Sequence, residues 1–223
     1  MAISFLNLGT SAGADTGNIT PGAPATPAVD DIWVCFASNS ADPAATNMAM
    51  NGADWTEIVD GTPEPQIRIG IWWHRYAGVD PDRLITMTDG GGGGRLGQIA
   101  AFRGCKSSGS PFNVVGSLNG GDSTAPLHLS VTTTVADCML LALCGGDNDP
   151  SYTPPGGMTT TIDLTGVFTG NDTILGVARE AGIAIGATGN KTATFGAAIH
   201  WAAVLVALEP QVAATRAILI QDD

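Results

Sequence analysis

Apolar residues along this chain come in short runs, each cut off by Gly, Pro, Asn or Asp. Runs of that length between turn formers predict strands. No window sustains the 3.6-residue period of a helix, and frequent Gly and β-branched residues argue against one, short turns around Ala41 to Met50 excepted. The strands so predicted centre on Val29–Ala37, Trp55–Ile58, Ile67–Tyr76, Arg83–Thr88 and Leu96–Arg103 in the first half. In the second they centre on Val135–Leu143, Met158–Ile162, Thr173–Gly182, Lys191–Phe195 and Leu205–Leu208. Ile3–Leu8, Phe112–Leu118, Leu127–Val131 and Ala217–Ile220 add further strands or arms.

The two sets resemble each other in order. Val29–Ala37 reads like Val135–Leu143 at a shift of 106, and each is followed by a polar loop ending in Asp-Pro. Ile69–Gly78 reads like Thr173–Gly182 at a shift of 104, and Ile99–Gly104 parallels Leu205–Pro210. A period this long is not that of a solenoid. It implies a duplicated half, one sheet of which cannot bury its apolar face alone. The expectation is therefore an all-β, two-sheet antiparallel jelly-roll sandwich made of two similar halves. One domain spans residues 1–223, with half-repeats at about 28–105 and 134–210 and a C-terminal arm or edge strand at 211–223.

Side chains alternate between the faces of a strand. In the Ile67–Tyr76 strand, Ile67, Ile69, Ile71 and Trp73 form the face that Leu175 and Val177 continue in the second half, and that face is core. Arg68, Trp72, His74 and Tyr76 lie on the other side, where the second half carries Gly176, Ala178 and Glu180. An aromatic row facing away from the core has three readings: a contact for another protein, a platform for a sugar ring, or a surface covered by the chain itself.

Charge narrows the partners. There are 21 acidic and 9 basic residues, a formal net charge of -12, with no Lys/Arg cluster for phosphates. Nucleic acid is not expected as a partner. No apolar stretch approaches the length of a membrane helix and the N-terminus lacks a secretion-signal pattern, so neither membrane insertion nor secretion is expected. Cys35, Cys105, Cys138 and Cys144 lack metal-ligand spacing and suit buried free thiols.

No residue pattern points to catalysis. His74, His128 and His200 fall on separate elements, and no G-x-S-x-G motif occurs. Gly90–Gly94 is not followed by Lys-Ser/Thr and reads as a hairpin tip. Asp147 and Asp149, with Asp42, offer hard oxygens of the kind calcium takes but not the spaced series of a dedicated loop. No cofactor and no enzymatic activity are expected.

Asp30-Asp31-Ile32-Trp33-Val34-Cys35-Phe36-Ala37-Ser38, then Trp55-Thr56-Glu57-Ile58, Ile71-Trp72-Trp73-His74-Arg75-Tyr76-Ala77 and Ala100-Ala101-Phe102-Arg103-Gly104 resemble strand signatures of jelly-roll accessory proteins of tailed-bacteriophage virions. The likeness covers roughly Ala28 to Pro210. It implies a structural role as a head decoration, spike, or tail or fibre component, assembled in the host cytoplasm into the virion. The implied partners are the major capsid or tail protein and further copies of the chain, a trimer being favoured. The outer face of the Ile67–Tyr76 strand would supply the contact residues for a protein or a glycan, Trp72, His74, Tyr76 and Arg68. A carbohydrate-binding module or adhesin for host-surface glycans would share the fold, and would place Trp72 or Trp33 along a groove.

Overall fold

The computed structural model describes residues 2–40, 47–88 and 93–212, and leaves Asp42, Gly90–Gly92 and the Ala217–Ile220 run outside the described residues. The first half forms β1 (Ser4–Leu8), β2 (Ala12–Ala14), β3 (Ile32–Ser40), β4 (Asn47–Met50), β5 (Thr56–Glu64), β6 (Ile67–Arg75), β7 (Ile85–Thr88) and β8 (Arg95–Arg103). The second forms β9 (Phe112–Val115), β10 (Asn119–Ser123), β11 (Leu127–His128), β12 (Thr132–Thr133), β13 (Cys138–Gly146) and β14 (Tyr152–Thr153). It continues with β15 (Thr159–Gly166), β16 (Thr173–Ile183), β17 (Gly186–Ala187), β18 (Lys191–Thr192), β19 (Thr194–Phe195) and β20 (Ile199–Leu208). No helix forms among the described residues, and the expected helical turns do not extend into 47–50, which is β4.

Each half builds one whole sheet, and the two sheets share a plan. Sheet one runs β1-β8-β3-β6-β5 with β2 also on β8; sheet two runs β10-β20-β13-β16-β15 with β9 also on β20. All these pairings are antiparallel. The result is the expected two-sheet antiparallel sandwich of two similar halves.

Between the sheets, Ile32, Val34, Phe36, Ile67, Ile69 and Ile71 pack against Met139, Leu141, Leu143, Leu175, Val177, Val204 and Val206. The inward set of β3 therefore matches that of β13 at 107 residues, Val34 to Leu141, and not at 106. Val34 pairs with Trp73 and Ala100, and Leu141 pairs with Arg179 and Val206. Leu175 and Val177 thus stand where Ile69 and Ile71 do. The left-handed residues before each strand obey the same spacing, Asp30 at φ 73° and Asp137 at φ 60°. Where β3 and β13 cross, a Cβ on Gly145 would lie 3.0 Å from Ser38 Cβ and 2.7 Å from Ile69 Cγ2. Only a glycine lets the sheets approach this closely there.

The outer faces are apolar too, and small two-stranded ladders cover them. On sheet one, Met48, Met50, Ile85 and Met87 of the β4–β7 pair, with Ile19, lie over Trp33, Cys35, Ala37, Trp72, Ile99 and Ala101. On sheet two the β12–β17, β11–β18 and β14–β19 ladders run beside two further clusters, one with Leu140, Ala142 and Leu205, the other with Cys144, Phe195 and Trp201. Strands covered on both faces favour apolar residues at successive positions, which is why Ile32–Ala37 of β3 and Cys138–Cys144 of β13 read as unbroken apolar runs.

Candidate functional site

The predicted aromatic row is where the alternation put it, on the outer face of β6, but it is not a free surface. Trp72 is 2% exposed and His74 7%. The expected contact surface is therefore corrected at Trp72 and His74, which the chain itself covers, whereas Tyr76 and Arg68 are partly buried. Trp33 stacks on Tyr76 with centroids 5.1 Å apart and meets His74 edge-on at 6.0 Å, while Trp55 tilts against His74 at 5.6 Å. Trp55 Nε1 donates to the Asp82 carbonyl at 2.6 Å, tying this cap to the loop before β7. The ring of Trp72 also lies over Gly70, whose Cβ would come within 2.1 Å of it. Arg68 is ion-paired with Asp60, both nearly buried. Trp33 is fully buried, so neither tryptophan lines the groove that a glycan-binding reading requires.

The remaining polar groups hold structure together. Asp147 accepts from the His200 backbone N–H and lies 2.9 Å from His200 Nδ1, so both of its carboxylate oxygens are engaged by His200. That pair, chiefly its hydrogen bond, holds the imidazole above its ordinary pKa. His128 is buried, its Nδ1 3.0 Å from the Lys191 carbonyl, and burial pushes it down to about 4. The four cysteines are free and buried. Burial pushes Cys105 up to about 12 and Cys138 to about 11, and raises Cys35 and Cys144 further, far from thiolate chemistry.

One cleft lies where the two halves meet. It is about 220 Å³ in volume and is lined by Val29, Asp30, Asp31, Arg103, Gly104, Cys105 and Gln211. Its floor is fixed by a two-pronged pair: Arg103 Nε and Nη2 donate to the two Asp31 oxygens at 2.7 Å each. The Ala28 N–H donates to Asp31 as well, at 2.8 Å. Val29 on the wall is 64% exposed, and Val212, following Gln211, is 76% exposed. Val79 is 76% exposed and follows Gly78, whose Cβ position is 3.9 Å from Val29. Sequence reasoning missed these exposed positions because isolated valines in turns carry no pattern.

No protein-family model, no curated protein and no solved structure matches the chain.

Proposed function

We propose that this chain is a non-enzymatic structural protein of a tailed-bacteriophage virion, a homo-oligomer with a trimer favoured, attached through protein–protein contacts to the capsid or tail. The strand signatures carry the virion part of the reading. The contact part rests on one observation, the exposed Val29 on the wall of the Asp31–Arg103 cleft. Apolar side chains around a fixed, partly polar floor are what an interface core with a polar rim needs. The partner's side chain enters beside Asp31, and Val29 and Val79 lose their water. The acidic balance suits a part that stays outside packaged nucleic acid.

The test is sedimentation of the isolated chain at micromolar concentration, alone and with its shell or tail protein, for wild type and for Val29→Asp with Val79→Asp. Both sites are exposed, so folding should change by less than about 0.5 kcal/mol, while attachment weakens at least tenfold. A wild-type chain that remains monomeric both alone and beside the virion protein would sink the reading.

A further inference from the structure

Lys106, Asn113 and Glu209 meet at the connection between the two halves. Lys106 Nζ lies 3.1 Å from Glu209 Oε1, and Asn113 Nδ2 lies 3.4 Å from Glu209 Oε2. One carboxylate thus bridges an amine and a side-chain amide. It is 14% exposed, whereas Lys106 is 43% exposed. The Glu209 backbone is held on both sides: the Lys106 N–H donates to the Glu209 carbonyl at 2.8 Å, and the Glu209 N–H donates to the Pro111 carbonyl at 2.7 Å.

The amide is held as firmly. Its oxygen, Asn113 Oδ1, accepts the Thr134 backbone N–H at 2.9 Å, and its nitrogen donates to Thr134 Oγ1 at 2.8 Å. Those two bonds fix which end of the amide faces Glu209. They also place a backbone donor on the oxygen that would gain charge if a nucleophile attacked the amide carbon. Glu209 replaces, in the second half, the Arg103 that grips Asp31 in the first, so the carboxylate here is free of that pairing.

We propose that Lys106 and Asn113 join in an intramolecular isopeptide bond, with Glu209 as the proton carrier and the Thr134 N–H as the oxyanion donor. Glu209 accepts a proton from the Lys106 ammonium, leaving a free amine. The Nζ lone pair adds to Asn113 Cγ, a C–N bond forms, and the electron pair displaced onto Oδ1 is met by the Thr134 N–H. Glu209 returns its proton to Nδ2, the Cγ–Nδ2 bond breaks as the carbonyl reforms, and ammonia leaves. The proton lost from Nζ goes to the departing ammonia, through Glu209. Amine and amide become a secondary amide and ammonium, with no oxidant, water or cofactor consumed. Holding nucleophile, carrier and acceptor on adjoining backbone is what makes so slow a reaction feasible without an enzyme.

The measurement is intact mass of the full chain, held in mildly alkaline buffer, followed by peptide mapping. The expected result is a chain lighter than its sequence by one ammonia, with a branched peptide joining Lys106 to Asn113. Glu209→Gln keeps both reacting residues and should retain the full sequence mass, as should Lys106→Arg. A wild-type chain that stays at full mass overturns the proposal. So does a loss of ammonia that persists in Lys106→Arg, because a succinimide at Asn51-Gly52 or Asn119-Gly120 would give it without the lysine. Thermal melts of the variants, compared with wild type, exclude unfolding as the reason for an unreacted chain.

Discussion

Trp72 and Trp73 are neighbours in sequence and opposites in environment. Trp72 is held between β6 and the β4–β7 cover with almost no exposure, whereas Trp73 faces the sandwich core at its rim and is only partly buried, with the Arg75 guanidinium 5.8 Å from its ring. Large-to-small changes in cores cost the transfer energy of the lost atoms plus the cavity left behind. Trp72→Ala should therefore destabilise the fold by roughly 3–5 kcal/mol, and Trp73→Ala by clearly less. Urea unfolding of the two variants decides this; a larger loss at Trp73 would mean that the cover contributes little. The face of each tryptophan was legible from alternation alone. That something lies over Trp72 was signalled only by the unbroken apolar run Ile32–Ala37 on the neighbouring strand, since a strand with one wet face would alternate.

At the scale of the element, the strands and their order were readable, but their exact superposition was not. A slip of one residue exchanges the faces of a strand, and β3 and β13 are apolar on both faces, so nothing in their composition distinguishes a shift of 106 from one of 107. Contact across the sandwich does. Gly145 of β13 sits against Ser38 and Ile69, leaving no room for a methyl group, whereas Gly156, in the turn before β15, has nothing near its Cβ position. Gly145→Ala should cost roughly 1–3 kcal/mol through overpacking. Gly156→Ala should be neutral or stabilise by up to about 1 kcal/mol by restricting the unfolded chain. Thermal melts of both variants check the pair, and equal effects would show that the sheets separate easily at this crossing.

For the molecule as a whole, buried His128 and half-buried His200 give stability opposite pH dependences. His128 has its folded pKa lowered by burial to about 4, against about 6.5 when unfolded. Its contribution is fully present above the unfolded value, where both states are neutral. As pH falls, the unfolded chain takes up the proton first, and on the order of 3 kcal/mol is lost by the time pH drops below about 4. His200 has the opposite sign: its raised pKa adds stability below the ordinary histidine value that is lost as pH rises through the folded one. Urea unfolding at about pH 7 and about pH 4.5 should show a smaller acid-side loss in His128→Gln than in wild type. Identical losses would mean that His128 is solvated in the folded state.

Apolar runs between turn formers by themselves determined the class, the duplication and the inner and outer faces of β6, because these follow from spacing and periodicity along one strand. The acidic balance likewise argued against a phosphate-binding surface without reference to shape. Tertiary structure decided what spacing does not encode. It decided which outer faces are covered, that Trp72 and His74 lie in an internal layer, and that Val29, Val79 and Val212 are among the apolar groups left in water. It also brought Glu209 to Lys106 and Asn113. Lys106 and Asn113 are close in the chain but otherwise unremarkable, and Glu209 reaches them from the far end of the second half. Their chemistry exists only because the last strand of that half returns to the connection where the half begins.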